Sequence, residues 1–299
     1  MTEPFDLIAF GETMLSLIAV DGSLDLATTF RATHGGAESN ACVAIARLGG
    51  RAAWVGRVGR DPSGERIVAA LAAEGVDVAW VATDPDRSTG LILRDASGVV
   101  RYQRAGSAAS VAGPSVLDDV PVEDARAVLT TGITAMLGPD PAEAANALFR
   151  RARGVRALDV NLRRGLWGSE RAVELISPLV RSADLVFGGI HELRALEPGA
   201  SAEDVARAIA ARGPREVVVK QGSAGAGALD PDGRWHEVAP APAREVDPVG
   251  AGDAFGAAYL WVRLRGGSVP DALAEGARCG AAVAATIGDA EGVPRVAQK

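Results

Sequence analysis

Leu7-Ile8-Ala9-Phe10-Gly11 and Leu15-Ser16-Leu17-Ile18-Ala19-Val20 are apolar runs on either side of a Gly-Glu turn, and they predict two strands. Between Glu38 and Leu48, Ala41, Ile45 and Leu48 recur at helical spacing, and Gly49-Gly50 closes the segment as a helix stop. Ala52–Gly56 predicts a short strand, and Pro62–Glu74 a helix opened by proline. Two β-like segments follow, 90–95 and 99–104, joined by Ala-Ser-Gly, which reads as a hairpin. Beyond about residue 120 the pattern changes to strand–helix alternation. Strands are predicted at 127–131, 155–160, 184–188 and 215–220, with helices near 141–152, 169–181 and 201–211. A strand pair near 226–238 and alanine-rich helices at about 251–265 and 270–286 complete the chain. Such alternation predicts an α/β fold with a mostly parallel sheet covered on both faces. There is no internal repeat, low-complexity tract or interdomain linker, so residues 1–299 are read as one domain.

Composition narrows the function. Of 299 residues, 48% are hydrophobic, ample for a large core, and the net charge of −7 points away from nucleic acid and membrane surfaces. Cys42 and Cys279 lie in apolar, alanine-rich contexts and read as small core residues of a reducing compartment. Met1-Thr2-Glu3-Pro4 is followed by no apolar signal region, and no run approaches the ~20 residues of a membrane span. These features predict a cytoplasmic protein. Lys220 and Lys299 are the only lysines among otherwise arginine cations, which singles out the internal one.

Candidate chemistry gathers after strand ends, where open α/β sheets bind ligands. Asp159-Val160-Asn161-Leu162-Arg163 follows one strand and Lys220-Gln221-Gly222-Ser223-Ala224-Gly225 another. The most specific stretch is Asp247-Pro248-Val249-Gly250-Ala251-Gly252-Asp253, which opens directly onto a predicted helix. Free N–H groups at a helix start bind phosphate, so a carboxylate there is out of place unless it faces a hydroxyl and removes its proton. Alone, Asp253 also fits a helix-stabilising charge worth about 0.3–1 kcal/mol. Neither GxxxxGK[ST] nor a GxGxxG turn after a strand is present, so the two commonest nucleotide-binding motifs are missing.

Two signatures resemble the ribokinase-type (PfkB) carbohydrate kinases: Gly35-Gly36-Ala37-Glu38-Ser39-Asn40-Ala41 running into Ala44–Gly49, and Asp247–Phe255. They stand in the family's order, and the resemblance covers essentially the whole chain. It implies a three-layer αβα core with a small β-sheet lid over the sugar, its strands drawn from about 12–34 and 90–105. It implies Asp253 as catalytic base and the backbone of Gly250, Ala251 and Gly252 as the anion hole. Gly35, Gly36 and Asn40 would hold the sugar. Lys220, Gly222, Ser223 and Gly225 would lie along ATP, with Asn161 and Arg163 also on the nucleotide side. A lid suits phosphoryl transfer because it excludes water.

Within that family the chain is most similar to 2-keto-3-deoxygluconate kinases, through Gly11-Glu12 with Met14, Tyr102–Ala108, and Asp159–Arg163 with Leu166-Trp167. A sugar acid carries a carboxylate, and arginine's planar fork grips one bidentately. Arg104 and Arg163 are the candidates, with Tyr102 against substrate oxygen or carbon. ATP, Mg²⁺ and a monovalent cation are the implied cofactors, and a homo-oligomer formed through the lid is the implied assembly. The chain departs from the pattern at two places. The family's Asn-x-x-Glu is Gly189-Ile190-His191-Glu192, which leaves Glu192 to act on the metal through water. Pro248-Val249 replace a hydroxyl-bearing residue before the anion hole, a position tied to ion handling. A fructokinase or other hexose kinase remains the alternative, and a fold-retaining binding protein without transfer is a third.

Overall fold

Val217, Val218 and Val219 are all buried, yet they point alternately into two different cores. The same alternation runs through Leu7–Phe10 and Ala127–Leu129, so the strands are apolar on both faces because both faces are covered. The computed structural model describes residues 3–95, 98–162 and 170–296. Its strands are β1 (Leu7–Phe10), β2 (Met14–Ala19), β3 (Phe30–Gly35), β4 (Ala52–Gly59), β5 (Val81–Asp84), β6 (Leu91–Arg94), β7 (Val100–Gln103), β8 (Ala127–Thr131), β9 (Val155–Asp159), β10 (Leu185–Gly189), β11 (Glu216–Lys220), β12 (Ala226–Leu229) and β13 (Trp235–Val238). The helices are α1 (Ala37–Arg47), α2 (Pro62–Ala73), α3 (Gly132–Ala135), α4 (Pro139–Arg151), α5 (Glu170–Ser182), α6 (Ile190–Leu196), α7 (Ala202–Ala210), α8 (Ala251–Leu264) and α9 (Val269–Ala284).

The large sheet has nine strands in the order β13-β12-β11-β10-β9-β8-β1-β4-β5, parallel from β5 across to β11, with β12 and β13 antiparallel at one edge. Residues of α4, α5 and α7 share one core with the sheet, and residues of α1, α2, α8 and α9 share the other. The result is the expected three-layer αβα arrangement. From β1 the chain first builds outward through β4 and β5, then returns to β8 on β1's other side and builds away from it. The carboxyl ends of β1 and β8 therefore flank a switch point, the usual place for a ligand crevice.

A second sheet of four strands, β3-β2-β6-β7, is built from 14–35 and 91–103. β6 and β7 pair as the expected hairpin, in the register Leu91↔Gln103. Four elements have no counterpart in the sequence reading as separate units: β3, β5, the four-residue α3, and α6. β3 (Phe30–Gly35) is largely polar and only half-buried, and β5 lies at the sheet edge, so neither carries an apolar run. α6 is only seven residues long and follows β10 without a loop, so its pattern merges with the strand.

Candidate active site

α8 starts immediately after Gly250, whose φ of 82° is left-handed and suits glycine. A Cβ on Gly250 would lie 1.8 Å from the carbonyl oxygen of Asp289, so the turn also packs backbone against backbone. Asp253 stands in the first turn of α8. Its two carboxylate oxygens accept hydrogen bonds from different elements: Asn40 Nδ2 of α1 at 2.8 Å and Asn161 Nδ2 at 3.3 Å. Asn161 has φ 40°, the one left-handed non-glycine residue among those described. Asparagine tolerates that conformation better than most residues, and strain of this kind gathers at functional sites.

A cavity of about 440 Å³ opens in front of Asp253. Gly35, Gly36, Asn40, Tyr102, Arg104, Asn161, Glu192 and Lys220 line it, so the two sheets contribute to one concave surface. Side chains are excluded at its back: a Cβ on Gly35 would meet an Asp289 carboxylate oxygen at 2.4 Å, and one on Gly36 the Glu12 carbonyl at 2.3 Å. A second cavity of about 520 Å³ lies across the 250–253 turn, bounded by Gly222, Ser223, Gly225, Ala251, the 240–243 loop and the small residues Gly280 and Ala281 of α9. Lys220, Gly222, Pro248 and Gly252 belong to both cavities. The turn is thus a partition with a polar chamber on one side and a longer, small-residue trough on the other.

Lys220, at the end of β11, pairs with Asp159 at the end of β9, Nζ to Oδ2 2.6 Å. Burial alone would lower its pKa, but Asp159, Glu192 and Asp253 together hold the ammonium above the ordinary lysine value. It therefore stays a fixed cation beside the partition. Arg104 reaches the cavity and ion-pairs with Glu12 at 2.5 Å, its guanidinium 5.8 Å above the Tyr102 ring, while its Nε has no hydrogen-bond partner. Glu12 in turn accepts from Ser107 Oγ at 2.7 Å. Tyr102 lies on β7, every residue of which is exposed. Arg163 and the Leu166-Trp167 pair lie outside the described residues.

Glu192 closes the first turn of α6 and accepts from the Gly189 N–H at 2.8 Å while lining the cavity. Among the described residues no group of three or more His, Cys, Asp or Glu side chains is arranged to hold a metal. A divalent cation therefore fits here only if it is carried mainly by phosphate and water, with Glu192 at hand.

Three participants escaped the sequence reading. Glu38 of α1 is 1% exposed and sits at the switch point, accepting from Thr131 Oγ1 at 2.7 Å and Thr134 Oγ1 at 2.6 Å. Burial pushes its carboxyl up to about 7 against the pull of those hydroxyls. Arg94 of β6 is buried and bonds Asp247 with one Nη and Asp289 with the other. Burial likewise pushes Asp289 up to about 7, with Arg94 pulling the other way. A signal for Arg94 existed: on a strand it shares a face with buried Ile92, two residues earlier. Asp289 stands in an irregular segment and has no such signal.

The sequence profile of the pfkB family carbohydrate kinases matches residues 5–295. The chain is 33% identical to the 2-dehydro-3-deoxygalactonokinase of Haloferax volcanii, over 95% of this chain and 92% of that one. It is 32% identical to the 2-dehydro-3-deoxygluconokinase of Bacillus subtilis, over 97% and 92%. Among solved structures, a PfkB protein from Polaromonas sp. JS666 superposes with a TM-score of 0.85 at 35% identity, covering 94% of this chain and 96% of that one. With two facing cavities, a helix-start turn between them and this kinship over nearly its whole length, the chain belongs to the pfkB family and is an ATP-dependent carbohydrate kinase.

Proposed function

We propose that this kinase phosphorylates the primary hydroxyl of a sugar acid, converting 2-keto-3-deoxygluconate to its 6-phosphate. The observation that carries the proposal is the placing of Asp253: one carboxylate, held from both sides by Asn40 and Asn161, facing the first cavity from the turn that separates it from the second. The sugar occupies the chamber bounded by Gly35, Gly36 and Asn40, and ATP the trough along Lys220, Gly222, Ser223 and Gly225. Asp253 takes the proton of the hydroxyl as its oxygen attacks the γ-phosphorus. The new O–P bond forms as the bond to the β-phosphate bridging oxygen breaks, and ADP leaves. N–H groups of Gly250, Ala251 and Gly252 receive the charge on the equatorial oxygens, and Lys220 adds a fixed cation beside them. Glu192 would help hold the water shell of Mg²⁺, which when bound would supply positive charge against the triphosphate. The small sheet acts as the lid.

The sugar-acid assignment draws support from the relatives' names and from Arg104 and Tyr102 on the chamber's rim. Arg104 is already paired with Glu12 through one Nη, and its Nε has no hydrogen-bond partner, so a substrate carboxylate would be met by that charge-assisted N–H. Arg163 completes this reading as a second carboxylate partner. β7 is the edge of the small sheet and exposes Val100 and Tyr102, and we assign it to pairing with a second copy of the chain. A cytoplasmic setting agrees with two free, buried thiols, Cys42 and Cys279.

The test is ADP formation with 2-keto-3-deoxygluconate, 2-keto-3-deoxygalactonate, fructose, ribose and nucleosides. The sugar acids should lead in kcat/KM by about 10²-fold, the scale of a hydrogen bond to a charged group. Arg104→Ala should then cost the acids far more than fructose. Preference for fructose, unchanged by Arg104→Ala, contradicts the assignment.

A further inference from the structure

We propose that Arg94, carried by the small sheet, is the built-in cation of the phosphate-binding turn: its guanidinium clamps the two segments that shape Gly250 and occupies the place of a monovalent ion. Arg94 projects from β6 into the body of the protein, its side chain only 4% exposed. One Nη bonds Asp247, the residue that leads into the turn, and the other bonds Asp289 Oδ1 at 2.7 Å. Asp247 is otherwise spent on backbone, accepting from Val249 N–H and Gly288 N–H, each at 3.2 Å. Asp289 in turn presses its carbonyl against Gly250, as the 1.8 Å approach of a Cβ there requires. A continuous set of contacts therefore runs from the small sheet through Arg94 to the N-terminus of α8.

The electrostatics point the same way. Asp247, Asp253 and Asp289 surround a turn that must receive a phosphoryl group, and three carboxylates there would repel it. Arg94 pairs two of the three. A monovalent ion at Asp247 would have to displace the guanidinium, and Val249 offers it no hydroxyl. The monovalent cation implied by the family resemblance therefore does not fit this chain. Because the cation belongs to the small sheet, seating that sheet over the sugar and forming the turn become one event.

The test is steady-state ADP formation at constant ionic strength, with potassium exchanged for tetramethylammonium. The sugar is 2-keto-3-deoxygluconate or, should that substrate assignment fail, whichever sugar the screen accepts, so the two readings fail separately. The native chain should be indifferent to potassium, whereas strong activation by it overturns the proposal. Arg94→Ala should lose about 10²-fold or more in kcat, the cost of a disordered anion hole. It should recover at least tenfold of that on adding potassium or guanidinium ion below unfolding concentrations, as expected for a replaceable charge. Loss without rescue in a folded variant means that Arg94 is only structural and refutes the idea. If Arg94→Ala does not fold, Arg94→Lys keeps the charge but spans only one carboxylate. Its kcat should fall about tenfold while KM for the sugar stays put. Native kcat in Arg94→Lys also refutes it.

Discussion

Gly250→Ala isolates the turn on which phosphate binding depends. Two costs are expected. A side chain at φ 82° is strained by about 1–2 kcal/mol whatever its surroundings. In addition the new Cβ would stand 1.8 Å from the Asp289 carbonyl oxygen and 2.6 Å from its carbon, both backbone atoms, so the turn or the 289 segment must move. Overpacking of this kind costs about 1–3 kcal/mol more. Gly266 supplies the control, because its φ of 80° is nearly the same and a Cβ there meets nothing within 4 Å. In urea unfolding, Gly266→Ala should lose only the conformational cost, and Gly250→Ala about 2–5 kcal/mol in all. In turnover the contrast should be larger. Displacing an anion-hole donor costs about 10²–10³-fold in kcat, while the sugar-side residues keep their places. Gly250→Ala should thus lose kcat at nearly constant sugar KM, and Gly266→Ala should lose neither. Equal stability and near-native kcat in both variants would refute the account of the turn.

Glu38 and Asp289 both bind protons more tightly in the folded chain than a carboxyl group ordinarily does, burial pushing each up to about 7. A raised carboxyl pKa means that the folded state holds more protons than the unfolded chain, so stability should fall as pH rises from about 4 to 7 and level off above. At about 1.4 kcal/mol per pH unit, Glu38 alone accounts for about 3 kcal/mol, and Glu38→Gln should remove that part of the slope in pH-dependent urea titrations. Lys220→Met leaves Asp159 unpaired at 7% side-chain exposure and should cost about 3–5 kcal/mol. The double variant with Asp159→Asn should recover most of that stability in thermal unfolding, but not the KM for ATP. Recovery of both would remove Lys220 from nucleotide binding.

Strand–helix alternation after residue 120 carried the large sheet because buried parallel strands such as Val217–Val219 must be apolar on both faces. The helix starts were equally legible where side chains cap them, as Asp61 does for α2 by accepting from Gly64 N–H at 2.8 Å. Elements held by their neighbours were not legible. β3 is a polar strand stabilised by pairing with β2 along Met14↔Gly35 to Ala19↔Phe30, a tertiary fact absent from its own pattern. The site divides in the same way. Asp253, Gly250 and Asn40 sit in contiguous motifs, whereas Arg94, marked only by the strand face it shares with buried Ile92, meets Asp289 across 195 positions of sequence, and Asp289 has no local signature. Arg104 reads as a candidate, but Glu12 reads as part of a turn and of a motif, not as its partner. A motif can nominate an arginine without showing which carboxylate already holds it.

The most direct test is Asp253→Asn, an isosteric change that removes the proton acceptor while keeping shape and the bond from Asn161, its new NH2 being met when Asn40 turns its unpartnered Oδ1 toward it. Binding of ATP and sugar should be measured by calorimetry beside single-turnover phosphoryl transfer. Retained affinity for both ligands with transfer slowed at least ~10²-fold is the predicted outcome. Transfer at close to the native rate would contradict the assignment of the proton to Asp253, and with it the mechanism.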